Sequence, residues 1–406
     1  MAKKEEVILI NISGIDRPGV TAQITEILAE NQADVLDIGQ TDIHSYLSLG
    51  MLIKISDESS GNIFKELLFK ANELGVQIHF EPISIEAYST WVGKQGKNRY
   101  IVTVLGKRLN ARQLAGVSRI VAEQNMNIDD INRLTGRIPL DEDERVPKAS
   151  VQFSLRGTPV DSVKLKQDLL NMAAKLDVDI SFQEDDMFRR MRRLICFDMD
   201  STLIKTEVID ELAMCAGVGD KVKAITASAM RGEIDFKESF TRRVALLKGL
   251  DESVMEEIAN RLPVMDGIER LMTVLKKIGF KIAILSGGFT YFGERLKQKY
   301  NLDYVYANEL EVKDGKLTGN YLGEVVDGPR KAELLKLLAQ VEHVDIRQTV
   351  AVGDGANDLP MISTAGLGIA FHAKPKVKAT ADQFISVMGL DGILYFLGYK
   401  DSYLDN

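Results

Sequence analysis

The first 90 residues alternate between strand-like and helix-like patterns of apolar residues. Apolar and polar positions alternate over residues 7–12, and apolar residues then recur at helical spacing from Val20 to Leu28. Two further strands, a helix and a closing strand are predicted at residues 35–38, 48–55, 63–74 and 76–80. The order of these elements predicts a βαββαβ domain over residues 1–90.

The same plan appears a second time over residues 98–185. Strands are predicted at residues 100–105, 127–134, 148–155 and 178–182, and helices at residues 114–124 and 160–176. The two copies are joined near the segment WVGKQGK, residues 91–97. A repeat of this length indicates two copies of one supersecondary unit, each with a ferredoxin-like plan.

From residue 190 to residue 406 the pattern becomes an alternation of short apolar strands and helices. The apolar runs lie at residues 194–197, 281–285, 349–352 and 367–370, and the helical stretches at residues 267–278, 289–299 and 330–338. This alternation predicts an α/β domain with a doubly wound parallel sheet. The long insertion at about 208–262 is helical in pattern, and we expect it to form a cap over the sheet.

Composition narrows the function classes. The net charge of −8 over 406 residues argues against a nucleic-acid partner bound through bulk charge. No apolar run approaches the roughly 20 residues of a membrane-spanning helix, and the start MAKKEEVILI lacks the pattern of a signal peptide. The two cysteines form no disulfide framework. We therefore expect a cytoplasmic protein with neither nucleic acid nor a membrane as a partner.

Two aspartates follow the apolar run ICF. Asp198 and Asp200 share one face of an extended chain, because side chains alternate between faces along a strand. A D-x-D pair alone is also typical of a solvated turn. At the carboxyl end of a parallel strand, however, these carboxylates would lie where open α/β sheets bind their ligands.

A second acidic group follows another apolar run. The segment GDGAND places Asp354, Asn357 and Asp358 after residues 349–352. By itself this segment could be a turn that caps a helix. Acidic groups at two strand ends can converge on one cation, and their oxygen ligands suit Mg²⁺. Together the two segments predict a magnesium site.

Two further positions point to a phosphate group. Ser286 and Gly287 follow the run at residues 281–285, so a hydroxyl and backbone N–H groups could hold a phosphate there. Lys331 lies near a predicted helix start, where an ammonium group is unfavourable unless an anion is close by. Taken singly, these residues could equally be an ordinary loop and a solvated surface lysine.

The helical insertion carries a possible clamp for a zwitterion. Phe236, Phe240 and Arg243 are spaced to share one helix face, and Glu207 lies at the start of the insertion. Arg243 could instead extend into solvent, and Glu207 could cap a helix. As a clamp, Arg243 would bind a carboxylate and Glu207 an ammonium, with Phe236 closing the site against water. A small molecule with ammonium, carboxylate and phosphate groups is phosphoserine.

The four segments around Asp198, Ser286, Lys331 and Asp354, in that order, resemble the haloacid dehalogenase superfamily of phosphohydrolases. The resemblance implies that Asp198 attacks phosphorus and forms an aspartyl-phosphate. It implies that Asp200 protonates the leaving oxygen and then takes a proton from water.

The same resemblance implies the metal ligands and the groups that support them. Mg²⁺ would be held by the Asp198 carboxylate, the Asp200 backbone carbonyl and Asp354, with Asp358 beside them. Ser286 and Lys331 would balance the remaining charge of the phosphoryl group.

The helical insertion resembles that of the phosphoserine phosphatases. This implies that Glu207, Phe236 and Arg243 hold the amino-acid part of the substrate and that Asn357 also contacts it. The implied reaction is hydrolysis of O-phospho-L-serine, the last step of serine biosynthesis. Two alternatives remain open: an enzyme for another small phosphorylated amino acid or alcohol, and an amino-acid sensor without catalysis.

The two N-terminal copies resemble the ACT domain, a small amino-acid-sensing module. The first copy has the turn G-x-D-R-P-G at residues 14–19, whereas the turn of the second copy lacks Pro-Gly. The resemblance implies a homodimer and feedback inhibition by L-serine. Its effector site would include Asp16, Arg17, Pro18 and Gly19.

Overall fold

The computed structural model describes residues 5–93, 96, 98–137, 148–378, 381 and 383–404. The chain divides into two compact units, of which the first ends at residue 97 and the second begins at residue 98. Parts of the predicted joint between the two copies, residues 94, 95 and 97, lie outside the described residues, as do residues 1–4 and 405–406 at the ends of the predicted domains.

The first unit is a βαββαβ domain with one additional helix. Its elements are β1 (Glu5–Ile15), α1 (Val20–Glu30), β2 (Asp34–Ile43), β3 (Tyr46–Ser56), α2 (Asp57–Leu74), β4 (Val76–Ile83) and α3 (Ile85–Val92). The strand order is β2-β3-β1-β4, and β1 pairs antiparallel with both β3 and β4. Fully buried apolar residues such as Ile10, Ile24 and Leu67 form the core. Helix α3 was not predicted; the Ser84 side chain caps it by accepting from the Ala87 N–H.

The second unit begins with the second βαββαβ copy. Its elements are β5 (Arg99–Gly106), α4 (Ala111–Glu123), β6 (Asn127–Arg133), β7 (Ala149–Arg156), α5 (Ser162–Leu176) and β8 (Asp179–Glu184). Their order and bounds agree with the predicted pattern to within a few residues.

The rest of the second unit is an α/β domain with a helical insertion. Its first part contains β9 (Leu194–Phe197), α6 (Val208–Cys215), α7 (Gly219–Met230), α8 (Phe236–Ala245), α9 (Ser253–Arg261), α10 (Ile268–Lys277), β10 (Lys281–Phe289) and α11 (Thr290–Tyr300). Its second part contains β11 (Tyr304–Lys313), β12 (Lys316–Leu322), α12 (Gly328–Val341), β13 (Thr349–Gly353), α13 (Leu359–Thr364), β14 (Leu367–Phe371), α14 (Pro375–Lys378), β15 (Gln383–Ile385), α15 (Ile393–Phe396) and α16 (Asp401–Leu404). Helices α6–α9 make up the insertion.

One sheet of 11 strands runs through the second unit, in the order β12-β11-β10-β9-β13-β14-β15-β8-β5-β7-β6. The six strands β11, β10, β9, β13, β14 and β15, in this spatial order, are each parallel to the next. Strand β12 pairs antiparallel with β11. The doubly wound parallel sheet with a helical cap is therefore confirmed. The hairpin of β11 and β12 was not predicted, although its turn residues Asp314 and Gly315, both with positive φ, are typical of a hairpin turn.

The second βαββαβ copy joins the α/β sheet through β8 and β15. These strands are antiparallel, with Ile180 opposite Phe384. The Gln383 side chain extends the pairing, since its Oε1 accepts from the Phe182 N–H at 2.8 Å and its Nε2 donates to the Phe182 carbonyl at 2.6 Å. The sequence predicted separate domains ending at 185 and beginning at 190, and the sheet continues across that interval.

The part of the chain that the structure describes contains no helix that is both long and apolar enough to cross a membrane.

Candidate active site

Strand β9 delivers two aspartates to the carboxyl edge of the sheet. All four residues of β9 are buried, and the strand is paired on both sides, by β10 and by β13. The pairing extends one residue further, because the Asp198 N–H donates to the Val352 carbonyl at 2.8 Å. Asp198 and Asp200 are 4% and 8% exposed, so both carboxyl groups are almost completely shielded from solvent.

Lys331 is fully buried and bridges two of the acidic groups. Its Nζ lies 2.8 Å from Asp198 Oδ1 and 2.6 Å from Asp358 Oδ1. The lysine is placed by the first turn of α12, where the Asp327 side chain caps the helix and accepts from the Arg330 N–H. Burial alone would lower the pKa of Lys331, but the two carboxylates raise it, so the side chain stays an ammonium ion.

The loop after β13 brings the second acidic group to the same place. Carboxylate oxygens of Asp198, Asp354 and Asp358 all lie within 4.8 Å of one another. Asp358 is held in place, since its Oδ2 accepts from the Gly355 N–H at 2.9 Å while its Oδ1 receives Lys331. Burial, reinforced by the charge of Asp358, raises the pKa of Asp198 to about 8 and that of Asp354 to about 7.

This cluster fits a divalent cation. Three carboxylates face one ammonium group, so a buried excess of negative charge remains, and all the donors are the hard oxygens that Mg²⁺ prefers. Because Asp358 is already occupied by Lys331 and a backbone N–H, Asp198 and Asp354 are the carboxylates available to a metal ion. The Asp200 carboxylate is not part of the cluster.

Asp200 faces the end of β10 instead. Its Oδ1 accepts from the Val208 N–H at 3.0 Å. A Cβ atom built on Gly288 would lie 2.3 Å from Asp200 Oδ2 and 3.1 Å from Ser286 Oγ, so only glycine lets these groups approach. Burial, followed by the charges of Glu207 and Asp198, raises the pKa of Asp200 well above its usual range. Asp200 therefore holds a proton more readily than an exposed aspartate does.

Ser286 lies inside strand β10, which extends four residues beyond the predicted end. The serine is fully buried, and its Oγ accepts from the Gly288 N–H at 2.9 Å. Ser286, Gly287 and Gly288 thus form a compact end to the strand, next to Asp200 and immediately before helix α11. The Ser286 hydroxyl and the neighbouring backbone therefore lie beside Asp200, where they could bind an anion.

The cap residues approach the same edge from α6 and α8. A Cβ atom on Gly287 would lie 3.0 Å from the Phe236 ring, so Phe236 covers the end of β10. Burial lowers the pKa of Arg243, whereas the carboxylates of Glu207 and Asp200 act in the opposite direction. Arg243 is only half-buried and donates from Nε to the Ser239 carbonyl at 3.4 Å. Its remaining donors can therefore serve a ligand.

Glu207 does not cap helix α6 with its side chain, although it occupies the N-cap position. Its Oε1 instead accepts from the Ser201 hydroxyl at 2.9 Å, and the side chain is exposed. A cavity of about 280 Å³ is lined by Glu207 together with residues of α6 and α7. The carboxylate is thus available to a cationic group that enters beside the cap.

Asn357 lies within the acidic loop, with its Nδ2 donating to Asp358 Oδ1 at 3.5 Å. The four predicted effector residues belong to the first compact unit. Asp16, Arg17, Pro18 and Gly19 are all exposed, and the Asp16 N–H donates to the Ser45 carbonyl. Gly19 has a φ of 95° and begins helix α1, which explains the glycine.

Sequence reasoning missed Asn308 on β11. This residue is 1% exposed, and its Nδ2 donates to the carbonyls of Gly287 and Gly288 at 2.9 and 3.2 Å. Its Oδ1 accepts from the Val326 N–H at 2.8 Å, in the segment that leads to Lys331. Asn308 therefore ties the end of β10 to the start of α12. An asparagine inside an apolar strand pattern, YVYANEL, was the available signal.

Comparison with known proteins agrees with this arrangement. Models of the ACT domain match residues 6–81 and 99–183, and the model of the haloacid dehalogenase-like hydrolases matches residues 195–363. A phosphoserine phosphatase of Streptomyces coelicolor is 38% identical over 96% of this chain and 92% of its own length. A phosphoserine phosphatase of Mycobacterium tuberculosis is 38% identical over 96% of this chain and 93% of its own length.

Solved structures show the same fold. The unliganded crystal structure of a probable phosphoserine phosphatase from Vibrio cholerae has a TM-score of 0.58 and 35% identity, and covers 75% of this chain and 87% of its own. A haloacid dehalogenase-family hydrolase from Salmonella enterica has a TM-score of 0.63 and 30% identity, and covers 73% of this chain and 98% of its own. The chain therefore belongs to the phosphoserine phosphatases of the haloacid dehalogenase-like hydrolases and carries two ACT domains.

Proposed function

We propose that this protein hydrolyses O-phospho-L-serine to L-serine and phosphate. The observation that carries the proposal is the fully buried Lys331, which joins Asp198 to Asp358 beside an Asp200 whose pKa is strongly raised. A nucleophilic carboxylate, a neighbouring acid and a fixed positive charge are the three groups that a phosphoryl transfer to aspartate requires. The relatives that match nearly the whole chain bear the same activity in their names.

In this mechanism Asp198 attacks phosphorus with one of its carboxylate oxygens, and the Lys331 ammonium and the Met199 N–H, which both lie at Oδ1, orient the carboxylate. The bond between phosphorus and the serine oxygen breaks as the new bond to Asp198 forms. Asp200 gives its proton to the departing serine oxygen and is left ionised. It then removes a proton from the water that attacks the aspartyl-phosphate, so phosphate leaves and Asp198 is restored.

The positive groups of the site hold the phosphoryl oxygens. Lys331 would lie beside the transferring group, and the Ser286 hydroxyl and the Gly287 backbone would face it from the end of β10. Asn357 would contact the substrate from the acidic loop. Asp198, the backbone carbonyl of Asp200 and Asp354 would hold Mg²⁺, with Asp358 in support. When bound, this ion supplies further positive charge for the phosphoryl oxygens.

The serine portion would be recognised by the cap. Arg243 would donate to the substrate carboxylate, and Glu207 would accept from its ammonium group. Phe236, which already lies against Gly287, would shield the reacting atoms from water. Small phosphate esters without an amino-acid group lack this pair of opposite charges, so the same site would select phosphoserine over them.

The test is phosphate release from phosphoserine by the wild-type protein and by Asp198→Asn. The variant is nearly isosteric but has no nucleophilic carboxylate, so we expect kcat to fall at least about 10³-fold. Circular dichroism and the melting temperature would check that the fold is kept. Comparable turnover by the folded variant, or equal rates for phosphoserine and simple phosphate esters, would contradict the proposal.

Magnesium dependence has its own test. Removal of divalent ions with a chelator should abolish phosphate release, and added Mg²⁺ should restore it. Asp354→Asn should raise the Mg²⁺ concentration needed for half-maximal activity, because the site loses one of its two free carboxylates. Full activity after exhaustive chelation would contradict the assignment.

We further propose that L-serine inhibits the enzyme by binding to the first ACT domain. We also propose that the protein is a cytoplasmic homodimer and that its reaction is the last step of serine biosynthesis. The turn at residues 14–19 supports the binding of serine, because the exposed side chains of Asp16 and Arg17 there offer both charges that an amino acid could bind. Asp16→Ala should raise the serine concentration for non-competitive inhibition at least about tenfold, the loss expected for one charged hydrogen bond. Unchanged inhibition would refute this site, and light scattering would test the dimer.

A further inference from the structure

A second, larger cavity lies at the junction of the second ACT domain and the α/β sheet. Its volume is about 590 Å³, within the usual range for small-molecule sites. It is lined by the last residues of β8, by α5, and by the segment from the end of α13 to the start of β14. Because β14 starts at Leu367, the cavity lies at the amino edge of the parallel strands, opposite the edge that carries Asp198.

A buried guanidinium group lines this cavity. Arg192 is only 6% exposed, and its contacts are weak ones to backbone, with Nη1 3.3 Å from the Arg189 carbonyl and Nη2 3.5 Å from the Gly366 carbonyl. Its Nε has no hydrogen-bond partner, and within the described ranges no carboxylate lies at ion-pair distance from Arg192, although the charge of Asp186 acts on it from further away. A buried guanidinium without a directly paired carboxylate is unfavourable, so Arg192 is a candidate to bind an anion.

The charge of Arg192 persists at neutral pH. Burial and the nearby guanidinium of Arg189, opposed by the carboxylate of Asp186, lower the pKa of Arg192 to about 10, which still leaves the side chain protonated. The second arginine of the lining, Arg347, is already engaged, since it pairs with Asp345 and stacks 3.8 Å from the centre of the Phe188 ring. Lys166 also lines the cavity.

Acidic groups stand at the more exposed part of the same cavity. Glu184 and Asp186 both line it, and both are exposed. The site therefore offers a buried donor for a carboxylate and, nearer to solvent, acceptors for an ammonium group. This separation of charge matches an amino-acid zwitterion better than a simple anion such as phosphate.

We infer that this cavity binds a small amino acid, with its carboxylate on Arg192 and its ammonium group toward Glu184 and Asp186. The bound molecule would contact both β8 of the second ACT domain and the end of α13. Helix α13 begins directly after Asp358, which holds Lys331. The ligand would thus touch the far end of the helix that leaves the active site. This inference does not depend on the effector site proposed in the first ACT domain.

Hydrogen exchange measured by mass spectrometry on the full chain provides the test, because it locates binding in the presence of other serine sites. The probes are L-serine, propionate and inorganic phosphate at equal millimolar concentrations. At about twice the Kd of L-serine, exchange of peptides 181–186 and 362–368 should slow about threefold. Propionate should protect less, since it lacks the ammonium group, and phosphate should not protect.

Two variants separate binding from folding. Arg192→Met removes the guanidinium and should abolish the protection. Ser363→Trp fills the cavity from an exposed position on α13 and should do the same without disturbing the core, whereas Gln340→Trp, at an exposed position of α12, should leave protection intact. Asp16→Ala should also leave these two peptides protected.

Several results would overturn the inference. These are an absence of protection with L-serine, equal protection by propionate or phosphate, and protection that survives both Arg192→Met and Ser363→Trp. None of them bears on catalysis, because the Asp198→Asn test reads phosphate release at the opposite edge of the sheet.

Discussion

The two ACT domains share one plan but differ in how much of the molecule depends on them. The first forms a compact unit whose last strand, β4, is an edge of its own sheet. The second contributes four strands to the 11-stranded sheet of the catalytic unit, and its last strand, β8, is covered by β15. An edge strand exposes unpaired backbone N–H and carbonyl groups. The first ACT domain leaves β4 as the edge of its small sheet. The second pairs β8 with β15, and we call this pairing the joint between the ACT domain and the α/β sheet.

Equivalent positions show how the sequence creates this difference. In both copies a glycine near the end of the first strand lies against a valine where the last strand begins: Gly14 against Val76, the first residue of β4, and Gly106 against Val178, which directly precedes β8. The next residue is the exposed Gln77 in the first copy and the fully buried Asp179 in the second. Asp179 accepts from the N–H groups of residues 386, 387 and 388. The buried carboxylate of Asp179 therefore distinguishes the second copy, whose last strand pairs with the α/β sheet, from the first.

The largest expected effect is the difference in stability between a chain without the first ACT domain and a chain without both. A chain that begins at residue 98 should keep the stability of the catalytic unit. A chain that begins at residue 187 loses the partner of β15 and the carboxylate that accepts from three backbone N–H groups. Its free energy of unfolding should fall by more than about 3 kcal/mol, which denaturant titration would measure. Equal stability of the two shortened chains would show that the second copy is as separable as the first.

The paired substitutions Asp179→Ala and Gln77→Ala test the same contrast at one position. Asp179→Ala leaves three buried N–H groups without an acceptor and should cost about 2–4 kcal/mol. Gln77→Ala changes an exposed side chain and should lie within about 0.5 kcal/mol of wild type. Similar losses from both changes would contradict the proposed joint.

The joint should also respond to pH. Burial raises the pKa of Asp179 to about 6, although the backbone N–H groups act against this shift. Since the folded pKa lies above the unfolded one, the group contributes stability at low pH that is lost as the pH rises through about 6. The stability advantage of wild type over Asp179→Asn should therefore shrink between pH 4.5 and 7, by at most about 3 kcal/mol. An advantage that grows over this range would mean that Asp179 is ionised more easily than burial suggests.

The smallest effects concern the turns before the first helices. In the second copy Asn110 caps α4 in a reciprocal capping box with Gln113, whereas the first copy has Gly19 at that place. Asn110→Ala should cost about 1 kcal/mol in the catalytic unit. Gly19→Ala should cost about as much in the first unit and should weaken serine inhibition without changing kcat. A change in kcat caused by Gly19→Ala would contradict the expectation that the first unit does not influence the chemical step.

The sequence predicted most of the fold because its apolar patterns are regular. The strands of both ACT domains and four strands of the parallel sheet (β9, β10, β13 and β14) begin within a few residues of their predicted positions, whereas β11 and β15 were not predicted. The fold class and family are confirmed. Periodicity could not reveal that β8 and β15 pair, because β15 has only three residues and its pairing depends on the side chains of Asp179 and Gln383.

The site residues were predicted where they follow apolar strands. Asp198, Ser286 and Asp354 all lie at the carboxyl edge, as the parallel topology requires. Asn308 was missed because it binds backbone atoms of two distant segments, and such contacts leave no local spacing in the sequence. Arg192 was missed for a similar reason, since one of its backbone contacts is with Gly366, which is distant in the sequence.

The most direct test of the account is phosphate release from phosphoserine by the chain that begins at residue 98, compared with the full chain in the same Mg²⁺ buffer. Every residue assigned to the chemistry lies in this unit. We predict that kcat/KM without added serine stays within about threefold of the full chain, a difference below about 0.7 kcal/mol. A shortened chain that is folded but has lost activity by orders of magnitude would contradict the account.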